Sequence, residues 1–306
     1  MADYTYTNAY ISAKETSILN RDALARITSD SADALRLLAQ TGYGGGEGGS
    51  AGELADRELS QLRAFIMSAL PDTLYPLLIL PYDAHNLKVL LKCRVSGADP
   101  APYLYDNTMF DTEIAAACCR GGEFSLLSDT IADGLNAAYD DGRLTAPFSI
   151  SAECDRAFYR DISLRSKKAI QPVSDYVTAE ADGKNLLTFY RAKRIGLSAD
   201  DFKALLLPGG SVSGDVFTGA YASNAEDLRA YTFGLDCHDA FSAAAEAAGR
   251  SLSEAAGVLD DYSLSKLLPF RYEPSSPVPV FIYFKKKTAE ARLVREAFAG
   301  NGGRNG

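Results

Sequence analysis

The chain has neither an excess of positive charge nor a long apolar run, and each absence excludes a class of function. Its 31 Lys and Arg stand against 40 Asp and Glu, a net charge of −9. The chain-wide basic footprint that phosphate backbones require is missing, so nucleic acid is not an expected partner. Two short basic runs, Arg165-Ser166-Lys167-Lys168 and Lys285-Lys286-Lys287, sit in ordinary periodic sequence and read as solvated helix faces. No stretch approaches the roughly eighteen apolar residues that cross a bilayer, and Met1-Ala2-Asp3-Tyr4 lacks a basic region leading into an apolar one. A soluble, cytoplasmic protein is expected.

Catalytic and metal-binding side chains are equally sparse. The five cysteines, Cys93, Cys118, Cys119, Cys154 and Cys237, are odd in number and irregularly spaced, which is no secreted disulfide framework. Neither the vicinal Cys118-Cys119 nor the adjacent Cys237-His238 has the Cys-x-x-Cys spacing of a zinc site. The two histidines, His85 and His238, belong to no nucleophile motif. We therefore identify no catalytic residue, no cofactor and no metal ligand, and expect a protein that is not an enzyme.

Helix-forming composition fills this frame. Apolar residues make up 47% of 306 positions, enough for a large core. Alanine, leucine, glutamate and arginine dominate while alternating β-branched runs are scarce, so an all-α fold follows. Ser31 to Gln40 is one such helix, with Ser31 or Asp33 as its cap. Gly44 to Ser50 reads as a flexible loop; it lacks the preceding strand and following Lys-Ser/Thr of a phosphate cradle. Leu207 to Ser211 and Tyr272 to Pro277 are turn-rich breaks. Val278 to Phe284 suits either an extended stretch or the buried start of the last helix.

Within the helices lies a repeat. Asp83-Ala84-His85-Asn86-Leu87-Lys88-Val89-Leu90-Leu91-Lys92-Cys93-Arg94 aligns with Asp182-Gly183-Lys184-Asn185-Leu186-Leu187-Thr188-Phe189-Tyr190-Arg191-Ala192-Lys193. Counting the acid as position zero, Asn-Leu stands at three and four, bulky apolar residues at seven and eight, and cations at nine (Lys92, Arg191) and eleven (Arg94, Lys193). A weaker third copy begins at Glu290 and keeps Val294, Ala297 and Phe298, but has Leu293 where the asparagine stands. Positions zero, three, seven and eleven share one helix face, giving a polar stripe beside an apolar one. An acid in the first turn suits the helix dipole, and these residues read more readily as packing devices than as partner contacts. His85 and Lys184 at one repeat position suggest a tolerant, exposed site.

At these residues the chain resembles the C subunits (d in eukaryotes) of V/A-type rotary ATPases. Tyr82 to Lys92 carries the likeness, with Asn185-Leu186, Arg191 to Leu197, Leu205 to Gly210, Tyr6 to Glu15, Leu35 to Leu38, Thr41 to Tyr43, and Tyr283 to Arg295, where Glu290 and Arg295 fall at family positions. The chain departs from the family at Leu293 and in its glycine-rich end, Gly300 to Gly306, where frayed structure is expected. The resemblance implies three similar helical bundles, near residues 1–106, 107–205 and 206–306, arranged with pseudo-threefold symmetry into a funnel. It further implies a non-catalytic central-stalk socket whose partners are D- and F-type shaft subunits and the membrane rotor ring. The chain would then lie on the inner face of the cell membrane, peripheral through that ring. Its structural or partner-contact candidates are Asp83, Asn86, Lys92, Arg94, Asp182, Asn185, Arg191, Lys193, Glu290 and Arg295. A generic helical adaptor would share the fold without those partners.

Overall fold

Helix-capping chemistry and apolar periodicity give the observed elements. The structure, a computed structural model, describes residues 3–29, 33–46 and 48–302. Among these it holds fourteen α-helices and no strand. They are α1 (Thr5–Glu15), α2 (Arg21–Thr28), α3 (Ala34–Gln40), α4 (Ala51–Ala69), α5 (Pro76–Ser96), α6 (Thr112–Gly121), α7 (Asp129–Asp140), α8 (Pro147–Ser166), α9 (Gln171–Ile195), α10 (Ala199–Ala204), α11 (Gly214–Ala222), α12 (His238–Arg250), α13 (Leu252–Ser265) and α14 (Val278–Gly302). The chain is all-helical, as the composition requires.

The starts and stops are local. Ser50 heads α4 through a reciprocal capping box with Glu53, each satisfying a free amide of the other. Asn20, Ser198, Ser213 and Ser251 cap α2, α10, α11 and α13 through side-chain oxygens. Proline stands in the first turn of α8 and α9, where its missing N–H costs nothing. Asp33 precedes α3 but makes no cap bond, because its carboxylate is engaged by Arg36 at 2.8 and 3.0 Å. Ser31 and the last four residues lie outside the described residues. Val278 to Phe284 is helical, opening α14, and the helix runs to Gly302.

The chain forms two compact units, Met1–Tyr75 with Phe270–Gly306, and Pro76–Pro269. In the first, α14 packs along α4 and also against α1 and α2. Its interior holds Ile11, Leu38, Leu54, Ile66, Phe281 and Val294, each 2% exposed or less. The glycine loop is tied down here: Gly44 donates its amide to Glu58 at 2.9 Å and its carbonyl accepts from Arg57 at 3.1 Å. With φ +62 and a built Cβ only 2.6 Å from the Leu54 carbonyl oxygen, Gly44 admits no side chain.

In the second unit α5 pairs with α8 and α9 with α13, and α7 and α12 cover these pairs. An aromatic centre, Phe189, Phe202, Phe217 and Phe241, fills the α9 side, and each of these rings is buried. Rings such as Phe189 and Phe202 meet edge to face, 5.9 Å apart.

Candidate functional site

The repeat is a device for holding the start of another helix. Asp83 lies in the interior of α5, two turns past its start, so it does not serve that helix's own dipole. Its carboxylate instead accepts the amides of Phe110 (2.8 Å) and Met109 (3.1 Å), just before Asp111 caps α6. One turn on, Asn86 makes two hydrogen bonds to a single residue, donating to the Tyr105 carbonyl (2.7 Å) and accepting from the Tyr105 amide (2.8 Å). Arg94 closes the other end by donating to the Cys119 carbonyl, one of the free carbonyls of the last turn of α6.

The second copy repeats this bond for bond. Asp182, fully buried in mid-α9, accepts the amides of Ser211 and Val212, both at 3.0 Å, and the Ser211 hydroxyl at 2.6 Å. Ser213 then caps α11. Asn185 donates to the Leu207 carbonyl (2.9 Å) and accepts from its amide (2.8 Å), and Lys193 donates to the Ala225 carbonyl just beyond the end of α11. The glycine at 210 belongs to the clamp, since a built Cβ would sit 2.2 Å from the Asp182 Oδ1.

The third copy keeps the acid and changes the rest. Glu290 accepts the Leu19 amide at 2.6 Å, and Leu19 precedes Asn20, the cap of α2. In all three copies the acid thus receives the backbone amide directly before a helix cap. Leu293 makes no asparagine clamp; Asn8 on α1 of this unit only donates, to the carbonyls of Pro274 (2.8 Å) and Ser276 (2.9 Å), while its Oδ1 accepts nothing among the described residues. Ion pairs fill the place. Lys287 bridges Glu290 and Glu58, the latter at 2.6 Å, and Arg295 reaches Asp56 at 2.6 Å.

Burial sets the electrostatics of the three acids. It pushes the Asp83 carboxyl up to about 7 against the pull of the two amides. Asp182 is raised by burial and opposed by the Ser211 hydroxyl and its amide donors. Glu290 is raised by burial and opposed chiefly by the Lys287 ammonium.

Three readings from sequence need correction. His85 and Lys184 are half-buried: His85 Nε2 lies 3.0 Å from the Tyr103 carbonyl with its ring on Tyr105, and Lys184 pairs with Glu180 and faces the Tyr159 ring. Lys287 belongs to no solvated face; it is 6% exposed, held between the buried Glu290 and the half-buried Glu58. The acids sit in mid-helix because α5 and α9 begin well before the repeat. Sequence reading misses the pair of Glu58 and Lys287, yet Val280, Phe284, Lys287, Ala291 and Val294 recur at heptad spacing, and that stripe is buried throughout. Lys92 and Arg191, the cations at position nine, make no hydrogen bond or ion pair among the described residues.

The Thr232 hydroxyl donates to the Leu228 carbonyl at 3.0 Å. His238 Nδ1 lies 3.4 Å from the Thr232 hydroxyl, and no cluster of three metal-ligating side chains occurs among the described residues. All five cysteines are free; burial pushes the Cys119 thiol up to about 12 and Cys237 up to about 11. Among the described residues no helix is long and apolar enough to cross a membrane.

The family model of the ATP synthase (C/AC39) subunit matches residues 7–300. The chain belongs to that family. It is similar to the C subunit of the V-type ATP synthase of Thermus thermophilus, with 26% identity over 268 residues, covering 77% of this chain and 82% of the relative. The same figures hold for the counterpart in a second strain of the species. The C subunit of the A-type ATP synthase of Thermococcus kodakarensis is 23% identical over 229 residues, covering 72% of this chain and 62% of the relative. The family match runs through all three copies of the repeat, including the diverged one.

Proposed function

We propose that this chain is the non-catalytic socket of a V/A-type rotary ATPase, joining the rotating shaft to the membrane ring so that torque passes between them. The observation that carries the reading is the family match across residues 7–300, with relatives named as C subunits of such synthases. The chemistry of the repeat supports it. A coupling part must resist deformation, and here the acids, the asparagines and the cations at eleven are spent on fixing the entry and exit of neighbouring helices. Three-bundle organisation, divided near residues 106 and 205, belongs to the same proposal and rests on the family match alone, since the long repeat helices pair across those divisions, α5 with α8, α9 with α13 and α14 with α4. So does a cytoplasmic position, peripheral to the membrane through the ring.

The test is reconstitution. The purified chain should hydrolyse no ATP alone, should bind purified D- and F-type shaft subunits and the detergent-solubilised ring, and should be required for the two to sediment together. Binding to neither leaves only the generic adaptor reading.

A further inference from the structure

Position nine of the repeat points outward from this chain's own bonding. Positions zero, three and eleven of the first two copies are consumed by backbone groups, whereas Lys92 and Arg191 make no hydrogen bond or ion pair among the described residues. At Arg191 this coincides with a groove of about 580 Å³ between α8 and α9. Lys184, Leu187, Arg191 and Ile195 recur along one face of α9 at three- and four-residue spacing, so the groove runs roughly 16 Å, about three helical turns. Phe148 on α8 lines its other wall.

The charges in the groove do not cancel. Asp155 is neutralised by Lys88 at 2.7 Å, and Lys184 by Glu180 at 3.5 Å, which leaves the Arg191 guanidinium in excess. Two of the groove's apolar side chains are open to solvent: Ile195 is 72% exposed and Phe148 40%. Position five adds a contrast, because Lys88 and Arg295 carry ion pairs to a neighbouring helix there, whereas the second copy has Leu187, an apolar lining residue. Unpaired positive charge set among exposed apolar groups is complementary to a helix bearing a carboxylate beside leucine-like side chains.

We infer that the α8–α9 groove is a docking site for an acidic, amphipathic helical segment of the shaft, with Arg191 taking its carboxylate and Ile195 and Phe148 its apolar face. The inference rests on the proposed socket function. The experiment titrates purified shaft subunits against the wild-type chain, Arg191→Glu, Ile195→Asp and a charge reversal outside the groove, Lys203→Glu on α10. Circular dichroism melting confirms that each variant is folded, and Arg191→Gln serves as the milder substitution.

Arg191→Glu and Ile195→Asp should each weaken shaft binding by roughly tenfold or more, and Lys203→Glu by less than about twofold. Arg191→Gln should flatten the salt dependence of the affinity. If wild type binds the shaft and folded Arg191→Glu and Ile195→Asp bind it equally well, or lose the ring alone, the groove assignment is wrong while the socket reading stands. If wild type binds neither shaft nor ring, the socket reading itself falls, and this inference with it.

Discussion

The first two copies of the repeat and the third solve one problem with different bonds. In the copies at Asp83 and Asp182, acid and asparagine bind backbone groups, so the segment held can be Tyr105 with Met109 and Phe110, or Leu207 with Ser211 and Val212, without changing the clamp. At Glu290 only one backbone bond remains, and side-chain ion pairs among Lys287, Glu58, Arg295 and Asp56 supply the rest. Backbone recognition tolerates sequence drift in the segment that is held. Side-chain recognition needs both partners, so it ties the copy at Glu290 to α4 residue by residue.

The most damaging way to break this contrast is to remove Lys287. Its side chain is 8% exposed and lies between Glu58 and Glu290, at 17% and 1%. Lys287→Met leaves two neighbouring carboxylates without their cation and should cost about 3–5 kcal/mol in urea unfolding at neutral pH. The loss should shrink on acidification as Glu290, whose carboxyl is raised by burial, takes up a proton, and adding Glu58→Gln should restore part of it. A cost under about 1 kcal/mol, the range of a surface pair, would mean that charge does not hold the third copy.

Next in size is the asparagine clamp. Asn185→Leu imports the residue type that the third copy carries at Leu293, and leaves the Leu207 amide and carbonyl without their partner. The expected cost is roughly 2–3 kcal/mol, with faster hydrogen exchange at the Leu207 amide. An unchanged melting point combined with lost shaft binding would instead make Asn185 a contact residue and erase the distinction between clamp and surface.

Much of this is legible in the sequence, for identifiable reasons. The all-helical fold and the repeat rest on periodicity and spacing, which are properties of the chain alone, and the Asn at position three stands out because it recurs on a helix face. What the asparagines and acids bind is not legible. Their partners lie 19 to 30 residues away in the first two copies and 271 away for Glu290, and backbone amides carry no signature in side-chain identity. Composition alone assigns Lys287 to a solvated basic run, whereas its place on the buried heptad stripe of α14 decides its surroundings. Lys92 and Arg191 look in sequence like Arg94 and Lys193; only the geometry separates the pair that bonds inward from the pair that does not.

The subtlest difference between the copies is electrostatic and is read from pH. Asp83 has no cation bonded to it, and burial lifts its carboxyl from 3.8 to about 7, whereas the Lys287 ammonium offsets the same effect at Glu290. Between these two values the folded chain holds a proton at Asp83 that the unfolded chain has released. Stability contributed by this site is therefore present below about pH 4 and falls as pH rises toward 7, by at most about 1.4 kcal/mol per pH unit. Urea unfolding from pH 4 to 8 should show this fall in wild type relative to Asp83→Asn, whose amide does not titrate. Glu290→Gln should remove a shallower slope, because the Lys287 ammonium favours the ionised form of that acid. Equal slopes at the two sites would show that Lys287 contributes packing rather than charge, and the copies would then differ in sequence alone.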